Sequence, residues 1–160
     1  MRKNHSLLVL AITVIAGLFI YGCGGNTASE TADTSAATKS SAPAASSDSK
    51  GTGKFTDVKL SHPLDQTMVT HGKAIYDVKC SACHKLTGEK LVGPGWKGVT
   101  DRRKPEWIMN FVTNTDEMLN KDTAAQTMVE KCMVRMPNQH LSDDDARHVL
   151  ELMRSNDGKN

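Results

Sequence analysis

Cys80-Ser81-Ala82-Cys83-His84 constrains this chain more than any other five residues. Two thiols three positions apart, with an imidazole directly after the second, are the attachment signature for c-type haem. At the end of a helix the two sulfurs can meet the two vinyl groups along one edge of a porphyrin. His84 is then carried under the iron as its proximal ligand. With 4 Cys and 6 His in 160 residues, chance produces the pattern roughly 0.004 times per chain. A thioredoxin-like dithiol wants a βαβ setting, which is missing, and half of a zinc site wants another Cys/His pair, for which only Cys132 is left.

The rest of the chain is consistent with a large apolar filler. Aromatic residues make up only 4% of it, so a packed core must fill its volume with something other than rings. From Lys54 to Asn160 the apolar periodicity is helical and no strand-like alternation persists. The spacing predicts a short helix over His71–Cys80, with Ala74, Ile75 and Val78 on one side. Pro105 suits a first helical turn, and Trp107, Ile108, Phe111 and Val112 then form one stripe. A third helix begins near Asp122 as N-cap and carries Ala125, Met128, Val129 and Cys132, which gives Cys132 a packing role. The last begins at Ser142, with Asp143, Asp144 and Asp145 at the positive end of its dipole. Its buried stripe is Ala146, Val149, Leu150 and Met153. Four short helices in about one hundred residues are a thin core unless a bulky apolar group sits at the centre. The expected fold is therefore all-α, short helices wrapped around one covalently bound haem.

The N-terminal third has a different character. Arg2 and Lys3 precede a fifteen-residue run, Leu7 to Tyr21, whose only polar members are Thr13 and Tyr21. This is the pattern of an export signal, too short to span a membrane comfortably. It ends Ile20-Tyr21-Gly22-Cys23, which resembles a bacterial lipobox and implies a lipid on Cys23. Gly24 to Gly53 contains seven Ser, seven Ala, five Thr and four Gly, and no larger apolar residue. Such a segment buries nothing and reads as a disordered tether with a span of roughly 30 Å. The expected organisation is a lipoprotein signal peptide over 1–22, the lipidated Cys23 with its tether over 23–53, and the haem domain over 54–160. Localisation follows as lipid-anchored on the periplasmic side of a bacterial membrane, inner or outer.

Between roughly Thr67 and Arg154 the chain resembles a class I cytochrome c. Gly72, Tyr76 and Cys80 keep that family's spacing, which implies that Gly72 packs on the helix carrying Leu150 and Met153. Gly93-Pro94 resembles the family's Gly-Pro loop, implying that the Pro94 carbonyl accepts the Nδ1 proton of His84. The run from Met136-Pro137 through a loop to the acidic-capped last helix resembles the family's sixth-ligand region. Met136 is thereby implied as the second iron ligand, with Met133 as its rival and His140 a nearby imidazole expected in an exposed loop. Trp107 resembles the family's aromatic near a haem propionate, which implies donation from its indole N–H, and Trp96 is expected against the porphyrin and core. His62, His71 and His148 carry no spacing argument and read as surface residues.

The resemblance implies an electron carrier and no enzyme: a monomer passing single electrons between respiratory components outside the inner membrane. Its redox partner proteins would be a quinol-oxidising complex and an oxidase or reductase. The tether and both proline loops also resemble small lipoprotein cytochromes c that accompany reductases such as nitrous oxide reductase. Two other classes compete, a haem-based gas sensor or peroxidase-like centre with a labile sixth ligand, and a docked electron-entry subunit of a larger oxidase or reductase. Net charge is only +2, which excludes the strongly basic signature of a nucleic-acid binder. Lys73 to Lys104 nets +5 and Pro105 to Asn160 nets −4. The haem-bearing half is therefore expected to steer toward an acidic partner.

Overall fold

A computed structural model describes residues 49–160. The signal run, Cys23 and the tether up to residue 48 lie outside the described residues. Six helices follow in order: α1 Gln66–Lys79, α2 Val99–Arg102, α3 Pro105–Thr113, α4 Thr115–Lys121, α5 Thr123–Cys132 and α6 Asp143–Asn156. Among the described residues there is no strand, only an isolated bridge between His84 and Lys90. None of these helices is long and apolar enough to cross a membrane.

The terminal helices α1 and α6 make the most extensive packing pair. Asp65 starts α1 by accepting from the N–H groups of Thr67 and Met68 at 2.8 and 3.1 Å, which satisfies donors that no helical carbonyl can reach. Ser142 and Asp145 form a reciprocal capping box at the start of α6, beyond the single cap read from the sequence. Gly72 lies where the two helices cross: a Cβ there would overlap the His148 carbonyl and approach Leu152 Cβ to 3.0 Å.

The stripe expected on the first helix is displaced. Val78 is 84% exposed, while Gly72, Tyr76 and Cys80 are buried. The inward line is i, i+4, i+8 through a glycine and a ring, and aliphatic periodicity is blind to it. Two helices, α2 and α4, also escape the apolar pattern. The first is one turn long, and the second is polar except for Met118 and Leu119, whose near-complete burial holds it in place. The stripes of α3 and α6 are buried as expected.

Residues 49–53, expected at the end of the tether, bond to the domain instead. Residues 49–61 form a strap across α3 and α6. The Asn110 side chain, 1% exposed, donates to the Lys50 and Phe55 carbonyls and accepts from Phe55 N–H. Glu106 accepts from Val58 N–H. Arg154, held by the fully buried Glu151, donates to the Ser61 carbonyl. The strap settles here because buried polar groups on the domain need its backbone as partners, and because Phe55 and Val58 pack against the core.

Candidate functional site

The thiols and the imidazole are presented by the end of α1. Cys80 N–H closes the helix on the Tyr76 carbonyl at 2.9 Å. The chain then turns, with Cys83 and His84 N–H groups both donating to the Cys80 carbonyl. The following loop folds back through Gly93 N–H to Cys83 O at 2.9 Å and Trp96 N–H to Lys85 O at 2.8 Å. It thereby brings Pro94 to His84, whose Nδ1 donates to the Pro94 carbonyl at 2.9 Å. Nε2 is left as the ring nitrogen with a free lone pair. Tyr76 Oη donates to the His84 carbonyl at 2.7 Å, and Trp96 sets its edge against Tyr76 with centroids 5.0 Å apart.

These groups border a cleft of about 370 Å³, within the roughly 300–1,000 Å³ range of cofactor and ligand sites. Cys83, His84, Pro94, Trp96, Trp107 and Met136 all line it. Cys80 is buried beside Cys83, and both are free thiols. Met133 is 86% exposed and does not line the cleft. His140 is exposed with positive φ. His62 is exposed and meets the backbone of Asn160. His71 is exposed, and half-buried His148 meets it edge-on at 5.0 Å, so His148 is less of a surface residue than expected. Cys132 is half-buried and joins Met128 and Val129 in the cleft wall instead of the core.

The electrostatics suit the donors to a porphyrin iron. Burial pulls the His84 imidazole below its ordinary range, opposed by the bond to Pro94, so the ring is neutral and able to donate a lone pair. Burial pushes the Cys80 thiol up to about 11, so it stays protonated at neutral pH. No group of three or more His, Cys, Asp or Glu side chains converges among the described residues, which leaves the zinc reading without a site. A thiol, a neutral imidazole and a thioether lining one apolar cleft, with a second thiol buried beside the first, fit a covalently held haem.

The Cytochrome c family model matches residues 69–157, a span that contains all of these donors. The chain belongs to the cytochrome c family. This cytochrome c is similar to cytochrome c from Rhodothermus marinus, at 30% identity and a TM-score of 0.64, over 66% of this chain and 90% of that one. An engineered cytochrome c from the same organism, Rma TDE, gives 29% identity and a TM-score of 0.63, over 67% and 92%. The same engineered protein bound to a carbene intermediate gives 29% and 0.61, over 67% and 92%. No curated protein matches the chain. As a class I monohaem cytochrome it carries one covalent haem c with iron, and its role is haem-based electron transfer through redox partner proteins.

Two features of this cytochrome c depart from expectation. Trp107 lines the cleft, but its indole N–H donates to Asp122 Oδ1 at 3.1 Å and is already committed when a propionate would need it. Asp122 has room for this because the strap, α3 and α5 enclose its carboxylate, leaving it 8% exposed; the sequence marked it only as a cap. The cations also fall differently. Lys73 is paired with Asp77 one turn on along α1, and Lys85 with Glu89 within the loop that follows the thiols. The charged residues lining the cleft are Arg102, Arg103, Lys131 and Arg135, with no acid among them. Two of these four come from the half of the chain whose net charge is negative.

Proposed function

We propose that this cytochrome c is a lipid-anchored, one-electron carrier whose iron is held between His84 and Met136. The single observation that carries the ligand pair is that Met136 and His84, whose Nδ1 is taken by Pro94, line one apolar cleft, from which Met133 is absent. The bound haem supplies a one-electron couple at its iron. Cys80 and Cys83 would hold the ring by thioether bonds, each thiol proton moving to the vinyl group as sulfur adds. Pro94 keeps the Nδ1 proton on His84 and so fixes the tautomer that presents Nε2. Trp96, Ile108 and Leu119 form an apolar lining that excludes water and keeps reorganisation small. A saturated His/Met pair leaves no open position, which favours a carrier over a sensor or peroxidase.

The carrier works outside the inner membrane, held by the lipid on Cys23 and the tether, with an oxidase or reductase as its acceptor. Arg102, Arg103, Lys131 and Arg135 favour an acidic face on that partner. The test of the ligand pair is the oxidised spectrum. The weak far-red thioether-to-iron band should be present in the wild-type protein and in Met133→Ala, and absent in Met136→Ala. Its survival in Met136→Ala would overturn the assignment. Replacement of Cys23 by Ala should release the protein from membranes; continued membrane retention would count against the anchor.

A further inference from the structure

Trp107 stands between two opposite charges. The Arg103 guanidinium lies over its ring, 4.7 Å from the centroid, well inside cation–π range. At its N–H sits the Asp122 carboxylate, 3.1 Å away. Arg103 is half-buried and lines the cleft; Asp122 is 8% exposed and stands one side chain behind the wall. The same carboxylate accepts from Ala125 N–H at 2.9 Å, capping α5, and from Ser49 Oγ at 3.4 Å. One acid thus joins the strap, the α3 wall and the α5 wall.

We propose that Asp122 and Arg103 form a charge couple across the Trp107 indole that sets the reduction potential of this cytochrome. The proposal rests on the electron-carrier reading and deepens it. Loss of an electron makes the centre more positive. A carboxylate behind the wall stabilises that oxidised state and lowers the potential, whereas a guanidinium on the wall opposes it and raises the potential. Asp122 is a positioning residue as well, since it holds the indole against which Arg103 lies. The two charges also differ in screening: the contribution of Asp122 is nearly independent of salt, and that of half-exposed Arg103 weakens as salt is added.

The experiment is a spectroelectrochemical titration of the purified holoprotein at low and high salt, with urea unfolding of each variant as a structural control. Asp122→Asn retains a hydrogen-bond acceptor and a good capping residue while removing the charge, and its potential should rise. Arg103→Gln should lower the potential, less so at high salt. The double variant should fall between them, and Asp122→Glu should return toward wild type. Shifts of the two single variants in opposite directions support the couple; shifts in one direction, or none in either, overturn it. Should Asp122→Asn fail to accumulate with haem, Arg103→Gln decides alone, and an unchanged or raised potential rejects the couple. An unmoved but reversible potential would sink this proposal and leave the carrier reading intact. A chain with no reversible one-electron couple would sink the carrier reading itself.

Discussion

The Nδ1 of His84 and the carbonyl oxygen of Pro94 are 2.9 Å apart, and Gly93 is what lets them meet. A Cβ on Gly93 would overlap Cε1 of the imidazole and come within 2.7 Å of its Nδ1. Gly93→Ala should therefore displace the ring and break the hydrogen bond, at a cost of about 1–3 kcal/mol for forced overpacking. Urea unfolding of the holoprotein checks the stability, and the coordination spectrum should change with it. Gly88→Ala is the control, since nothing lies within 4 Å of a Cβ there, and it should stay within about 0.5 kcal/mol of wild type.

The crossing of α1 and α6 gives a second expectation. A methyl group on Gly72 meets the His148 backbone, which cannot swing aside as a side chain can. Gly72→Ala should destabilise the domain by about 1–3 kcal/mol, measured by thermal or urea unfolding. A loss no larger than that of Gly88→Ala would mean that the helices cross elsewhere.

Glu151 concerns the strap. It is fully buried and accepts from Arg147 Nε at 3.0 Å and Arg154 Nη1 at 2.6 Å. Both arginines also donate to strap carbonyls, at Lys59 and Ser61. Glu151→Gln leaves a buried guanidinium without its counter-charge, a change that costs about 3–5 kcal/mol. Urea unfolding measures it, and limited proteolysis should then cut within residues 54–61 before any other site in the domain.

Partner docking distinguishes the charges at the cleft from those elsewhere. Lys131→Glu with Arg135→Glu should slow electron transfer to the physiological acceptor by about tenfold at low ionic strength, with the difference fading as salt is added. Lys73→Glu, whose position is paired with Asp77 on α1, should have a much smaller effect. Stopped-flow rates across a salt series check both.

What the sequence disclosed about this site follows from where the information lies. Cys80, Cys83 and His84 lie within five residues, and Gly93-Pro94 and Met136-Pro137 are short local signals, so the candidate residues that the fold brings together at the cleft are legible in the sequence. Pro105 and Ser142 likewise mark helix starts through local backbone chemistry. Relationships between distant residues were not legible. The family resemblance places the Trp107 N–H at a propionate, and nothing local says that Asp122, fifteen positions on, takes it. Residues 49–53 at the start of the strap read as tether because Ser, Gly and Thr offer no large apolar side chain to bury. The strap is held by backbone bonds to Asn110 and Glu106, whose burial only the fold reveals, and by Phe55 and Val58 against the core. Net charge over sequence halves does not tell which cations border the cleft: Arg102 and Arg103 come from the basic half, Lys131 and Arg135 reach it from the acidic one, and Lys73 and Lys85 are paired with acids four positions on.

Near-infrared magnetic circular dichroism of the oxidised protein reports the axial pair at the iron directly. The signature of one imidazole and one thioether is expected, and Met136→Ala should abolish it. A signature of two imidazoles, or of imidazole with a thiolate such as Cys132, would contradict the assignment of His84 and Met136 as the pair that holds the iron.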